Sequence, residues 1–135
     1  GAFGFNAMEI DTAVRHRVPV LIVVANNGAW QIEVHDQTTT HGKVVGTRLQ
    51  HADYAAMARA FGAHGERVHS ASALPAALDR ALQALRGGRP ALLDGLVSGE
   101  PMSSEARTGL AWVPALQPLA AWDDAERRWR AGTVG

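Results

Sequence analysis

With 135 residues, 47% of them hydrophobic and 19% charged, the chain has the makeup of one globular domain able to bury a core without covalent staples. It has no cysteine, which excludes disulfides, thiolate metal sites and a cysteine nucleophile, and favours a reducing, cytoplasmic setting. Lys+Arg and Asp+Glu both number 13, the only basic run is Arg127-Arg128-Trp129-Arg130, and the longest apolar run, 18–25, is too short for a bilayer. Neither a nucleic-acid nor a membrane partner is implied.

After Gly1-Ala2-Phe3-Gly4-Phe5, the pattern predicts a helix over 6–17, with Asn6 as N-cap and Glu9 at the capping-box position. Ala7, Ile10, Ala13 and Val14 fall on one face of it, and Pro19 forbids its continuation. Residues 20–24 are apolar at every position, which predicts a strand buried on both faces, as in a parallel sheet. Asn26-Asn27-Gly28 ends it with turn formers. The stretch 34–49 is polar, with Thr38-Thr39-Thr40 and two glycines, and reads as a long irregular excursion.

Asp53 then caps a helix that runs through Phe61 and stops at Gly62. A short strand over 66–69 follows. Ser72 caps a helix over 74–85, with Pro75 in its first turn and Gly87-Gly88 beyond its end. The last strand covers 91–97 and is interrupted by Asp94 and Gly95. Residues 98–135 hold a Pro/Ser stretch and then a helix from about 119 to 130, whose Asp123-Asp124 complements the helix dipole.

Strand and helix alternate, which predicts an α/β fold: a truncated, Rossmann-like parallel sheet with flanking helices and right-handed crossovers, then a tail ending in a helix. The division expected is a partial domain over 1–98 and a tail over 99–135. The 66–69 strand alternates charge with apolar residues, as an edge does, while 91–97 belongs inside, so the expected strand order is 1-3-2. The first strand then lies at the other edge with no charge to blunt it. Its open side is expected to be covered by a further strand, by the tail or by a neighbouring chain.

Asn26-Asn27-Gly28 alone is an ordinary turn signal. Its meaning changes with what precedes it: a glycine-rich opening, a helix, an all-apolar strand, and positions 2–25 separating Gly1 from Asn26. This layout resembles the thiamine-diphosphate motif, which opens with Gly-Asp-Gly and closes with Asn-Asn. Phe3-Gly4-Phe5, Met8-Glu9, Asp11-Thr12, Arg15, Pro19, Val45-Gly46-Thr47-Arg48-Leu49, Asp53-Tyr54 and Ala60-Phe61-Gly62-Ala63 extend the likeness. They resemble the acetolactate synthase, benzaldehyde lyase and 2-hydroxyacyl-CoA lyase branch of thiamine-diphosphate enzymes, over 1 to about 97.

The resemblance implies a cofactor-binding set of Gly1, Ala2, Phe3, Asn27, Gly28, Ala29, Trp30 and Ile32. It implies Mg²⁺ ligation by the Asn27 side chain and the Ala29 main-chain carbonyl, with an Asp of the opening triplet lying before Gly1. The chemistry suits those residue types. A diphosphate needs a cation and directed donors before a protein interior tolerates it, free amides at a helix start are such donors, and Mg²⁺ takes hard oxygen ligands. Asn26 is expected to hold the turn through backbone hydrogen bonds. Glu9 reads either as a cap or as support for the site, and Trp30 and Ile32 either as neighbours of the reacting centre or as core.

No catalytic residue is expected in this chain. The resemblance puts the proton-transferring Glu on a separate pyrimidine-binding domain, usually of a second subunit in a homodimer or homotetramer, and adds a middle domain. Alone, the fragment is expected to hold no ordered thiamine diphosphate and to be inactive. Where acetolactate synthases carry Gln-Trp, this chain has His35-Asp36, so the likeness does not extend to acetolactate synthesis itself. The segment 100–117 is expected to act as a mobile lid.

Other patterns carry less. His35, Asp36 and His41 would meet at a zinc ion only if their loop folded back, and they read as a solvated loop. His16, His64 and His69 read as surface residues. Ser103-Ser104 lacks a nucleophile-elbow context. A non-catalytic Rossmann-like module binding a nucleotide or mediating oligomerisation is the alternative, but Gly1 and Gly4 do not spell a dinucleotide fingerprint, and Asn26-Asn27 stands where its acid belongs.

Overall fold

A computed structural model of the chain describes residues 1–101 and 127–128, with the backbone alone at Thr40. Gly1–Glu100 forms a compact unit of its own. The lid expected over 100–117, apart from Glu100 and Pro101, and the pairs Ser103-Ser104 and Asp123-Asp124 lie outside the described residues. Of the expected terminal helix only Arg127 and Arg128 fall inside them, both helical.

The unit runs through a 3-10 turn (Ala2–Phe5), α1 (Glu9–Arg15), β1 (Leu21–Asn26), α2 (Gln31–His41), α3 (Tyr54–Ala60), β2 (His64–Val68), a second 3-10 turn (Ala71–Ala73), α4 (Leu74–Arg86) and β3 (Ala91–Leu96). The three strands form one parallel sheet in the order β1-β3-β2, as the polarity of the strands predicts. Leu21 pairs with Ala91 and His64 with Ala91, so the three strands start level.

The pleat sends alternate side chains to two separate cores. On one face Val24 and Leu92 pack with Ile10 of α1 and Ala58 of α3, and Ala63 closes the cluster. On the other, Ala91, Leu93 and Val68 pack under Ala77 and Ala81 of α4. Alanine dominates where helices meet the sheet, which lets backbones approach closely. At Gly65 the approach is so close that a Cβ would collide with the Ala55 carbonyl oxygen.

Four sequence expectations are corrected. The first helix begins at Glu9 instead of Asn6, because the chain first winds tightly through three-residue turns, among them Glu9 N to Asn6 O and Ile10 N to Ala7 O. The capping box is therefore not made. The first strand is not buried on both faces: Ile22, Val24 and Asn26 face the α1/α3 core, but α4 lies over β3 and β2 and leaves Val23 61% exposed. Its outer edge also has no strand partner among the described residues.

The third correction is the supposed excursion, which contains α2. That helix lacks a helical apolar stripe, Val34 being the one buried residue among its described side chains, and Thr38 and Thr39 fold their hydroxyls onto the carbonyls of Val34 and His35. Gly42, at φ 66°, ends it, and this C-terminal glycine was the signal available in the sequence. The fourth is small: Ser72 bonds Ser70 across a 3-10 turn in place of capping α4. Asp53 does cap α3, its side chain accepting from Ala56 N at 2.8 Å.

On β2, Glu66 accepts from Arg80 of α4 at 2.9 Å, and this bond is the main reason its carboxyl is held below the usual 4.5, with the nearby His64 adding to the effect. Arg80 is 52% exposed, so the pair contributes modestly. A lowered folded pKa stabilises at pH values above the ordinary carboxyl range and is lost as pH falls through the folded value. Glu66→Gln is expected to lower the urea midpoint at neutral pH, and the variant and parent curves should converge in strong acid. Gly65→Ala is expected to cost about 1–3 kcal/mol in the same measurement, because the obstructing atom belongs to the backbone.

Candidate functional site

In a parallel open sheet, ligands bind beyond the carboxyl ends of the strands, where loops and helix starts converge. Here that end is occupied by the turn after β1. Asn26 closes the strand, 5% exposed, and its side chain reaches in three directions. Its Nδ2 donates to Asp94 Oδ1 at 2.9 Å and to the Ala52 carbonyl at 3.1 Å, and its Oδ1 accepts from Gly28 N at 3.3 Å. Asn27 repeats the device, its Oδ1 accepting from Ala29 N at 3.2 Å. Two such Asx turns in succession fold the chain back sharply.

Gly28 makes the reversal with φ 64°, and the His51 ring lies against it, so that a Cβ there would stand 2.8 Å from His51 Cε1. Residues 42–50 return antiparallel, bridging Ala29 to Arg48. The bridge bonds run from Trp30 N to Thr47 O and from Leu49 N to Gly28 O. The Ala29 carbonyl therefore receives no hydrogen bond from the described residues. Neither do the amides of Ala2 and Phe3 donate one.

The 3-10 turn over Ala2–Phe5 stands opposite. Gly1 is pressed on Trp30, with a Cβ there only 2.9 Å from the indole, and the Phe5 ring meets Trp30 edge-on at 5.1 Å. Phe3 meets Tyr54 in the same way at 4.9 Å. Between them lies a small open cleft lined by Gly1, Phe3, Asn26, Asn27, Gly28, Ala29, Leu49, Gln50 and Tyr54, with the C-terminal end of β1 at its base.

Of the residues singled out in the sequence, Gly1, Phe3, Asn27, Gly28 and Ala29 come together in this cleft. Trp30 backs it through Gly1. Ala2 is exposed beside it. Ile32 does not line the cleft and is not core either, being 59% exposed on the first turn of α2. Asn26 holds the turn as expected, although one of its three side-chain bonds goes to a carboxylate. Glu9 is exposed on α1.

His35, Asp36 and His41 lie on α2 and not in a solvated loop, and His35 Nε2 is 2.7 Å from the Gln31 amide nitrogen. No group of three or more His, Cys, Asp or Glu that could hold a metal occurs among the described residues. None of their helices is long and apolar enough to cross a membrane.

The residues that sequence reasoning passed over are Asp94, Arg67, Tyr54 and His51. Asp94 is fully buried and accepts from Asn26, from Tyr54 N at 3.3 Å and from Arg67 Nε at 2.9 Å. Arg67 goes on to the carbonyls of Ala52 and His51. The signal available in the sequence is the acid inside an otherwise apolar strand.

A parallel α/β sheet with an Asn-Asn turn and a glycine-rich opening across one cleft defines a domain built to bind a cofactor at its strand ends. The chain belongs to the family described as thiamine pyrophosphate enzyme, C-terminal TPP binding domain, which its residues 1–95 match. It is 42% identical over 95 residues to the acetolactate synthase large subunit IlvG of Mycobacterium tuberculosis, covering 70% of this chain and 17% of that protein. It is 32% identical over 99 residues to 2-hydroxyacyl-CoA lyase 2 of Homo sapiens, covering 72% and 16%. To sulfoacetaldehyde acetyltransferase of Castellaniella defragrans it is 36% identical over 90 residues, covering 66% and 15%. The chain thus spans about a sixth of the length of these relatives.

The residues present fit thiamine diphosphate (the TPP of the family description) with Mg²⁺. The Ala29 carbonyl is unspent, and Asn27 Oδ1 accepts a single bond and keeps a lone pair. Both are neutral hard oxygens of the kind Mg²⁺ accepts alongside phosphate and water. The unbonded amides of Ala2 and Phe3 are donors of the kind a diphosphate takes. Gly28→Ala is expected to lose about 1–3 kcal/mol of stability through its left-handed backbone, aggravated by the His51 ring. Urea titration checks this; an unshifted midpoint would mean that the turn relaxes freely.

Proposed function

We infer that the chain is the diphosphate- and Mg²⁺-binding part of an enzyme that makes or breaks carbon–carbon bonds next to a carbonyl. Its substrates are read as 2-oxo acids, 2-hydroxy ketones or acyl-CoA compounds, handled by lyase, decarboxylase or carboligase chemistry. Residues 1–98 form the cofactor-binding portion and 99–135 a tail. The observation that carries this reading is the Asn27-Gly28-Ala29 turn at the end of β1, which shares one cleft with Gly1 and Phe3. The names of the relatives, a synthase, a lyase and an acetyltransferase, support the reaction class.

Thiamine diphosphate, when bound, supplies an electron sink for the bond next to the carbonyl. This chain's residues hold it. Asn27 Oδ1 and the Ala29 carbonyl are the Mg²⁺ ligands, with an acidic ligand expected from the Gly-Asp that precedes Gly1 in the motif. The amides of Ala2 and Phe3 meet the diphosphate, and Gly1 and Gly28 allow its close approach. Trp30 fixes the opening glycine against the metal turn. Ile32, exposed on the first turn of α2, is free to form one wall of a pocket completed from outside this unit.

The cofactor's aminopyrimidine needs a group that moves a proton. That task falls to a pyrimidine-binding domain, with a middle domain and a homodimer or homotetramer completing the enzyme. A cytoplasmic location accords with the lack of cysteine.

In the whole protein, Asn27→Ala is expected to abolish turnover at ordinary cofactor levels and to recover part of it in excess Mg²⁺ and thiamine diphosphate. A cofactor titration of activity, repeated by calorimetry, checks this. Wild-type cofactor dependence in Asn27→Ala would refute the ligand assignment.

A further inference from the structure

We propose that Asp94 is a positioning residue for the cofactor turn: it fixes the amide of Asn26 and, through it, the shape of Asn27-Gly28-Ala29. This rests on the assignment of that turn to Mg²⁺ and diphosphate. Asp94 sits on the central strand, in register with Val24 of β1 and Arg67 of β2, fully buried and outside the cleft lining. Its direct partners are Asn26, Tyr54 N and Arg67, so it acts on the site only through others.

The chemistry of the amide makes this action directional. An Asn side chain can present either its oxygen or its nitrogen, and its neighbours decide which. Asn26 faces the Asp94 carboxylate at 2.9 Å and the Ala52 carbonyl at 3.1 Å, and both only accept. The amide nitrogen must therefore point at them. Its oxygen is left to receive Gly28 N–H at 3.3 Å, which sets the first of the two Asx turns. A second arm closes from the other side. Arg67 bonds Asp94 and the carbonyls of His51 and Ala52, and the His51 ring rests on Gly28. Asp94 thus anchors both the underside of the turn and the segment that covers it.

An Asn at position 94 keeps the shape but can donate. Whichever way it is turned, its nitrogen faces a donor, either Asn26 Nδ2 or the Tyr54 N and Arg67 Nε pair, so one of the bonds that hold the turn is lost. In the whole protein, Asp94→Asn is expected to lower the calorimetric affinity for Mg²⁺, titrated at fixed thiamine diphosphate, by about 10- to 100-fold. Leu92→Ala, an apolar loss two residues away on the same strand, is the comparison: it should lower the unfolding midpoint and leave Mg²⁺ affinity near wild type. Should Asp94→Asn fail to fold, Asn26→Ala carries the test with the same expected loss.

Mg²⁺ affinity in Asp94→Asn, or in Asn26→Ala as its substitute, that matches Leu92→Ala overturns the positioning role. Asn27→Ala, run alongside, separates the two readings. If Asn27→Ala loses affinity and the Asp94 and Asn26 variants do not, the metal site stands and the positioning fails. If Asn27→Ala binds Mg²⁺ as wild type does, the site assignment fails and takes the positioning role with it.

Discussion

A carboxylate with no exposed surface is the constraint on which the unit turns. Removing a charge from water costs several kcal/mol unless partners surround it, and an uncompensated one costs more than its pair contributes. Asp94 is compensated by one group from each neighbouring layer: Asn26 from β1, Arg67 from β2 and Tyr54 N from the start of α3. Apolar packing between β3 and its neighbours would hold with some sliding. The bonds to Asp94 have one satisfactory arrangement, so strand register, the start of α3 and the turn beyond β1 are settled together.

Where local chemistry determines an element, the residues announce it. Asp53 before a helical stretch reads as a cap and is one, because a carboxylate three residues ahead of a free amide needs no tertiary help. The order of the strands followed from charge: a strand bearing Glu66 and Arg67 cannot lie between two others as comfortably as Ala91–Leu96 can. The Asn-Asn turn was legible as a turn from its residues, and its cofactor only through the resemblance of that turn, at its spacing from Gly1, to the thiamine-diphosphate motif.

Where the reading failed, tertiary contacts had overridden the local pattern. Helix α2 carries threonines and no apolar stripe, so periodicity could not reveal it. The exposed face of β1 was misread because an apolar run reports what a strand tolerates and not what happens to lie over it. The role of Asp94 was hidden for a related reason: its partners are 27, 40 and 68 residues away in sequence. No window along the chain contains them all.

The weak anchoring of α2 has a consequence for motion. Val34 is the one buried residue among its described side chains, and bonds such as Gln37 Oε1 accepting from Val45 N and Thr47 Oγ1 tie it to the segment that follows. Segments with few buried apolar contacts open locally at a small fraction of the global unfolding free energy. The amides of α2 should therefore exchange with solvent deuterium long before those of β3, whose first four residues are all buried. The first turn of α2 stands directly after the cofactor turn. The cleft is thus built on a strand end held in the sheet, and the helix that follows its turn carries a single buried residue among those described.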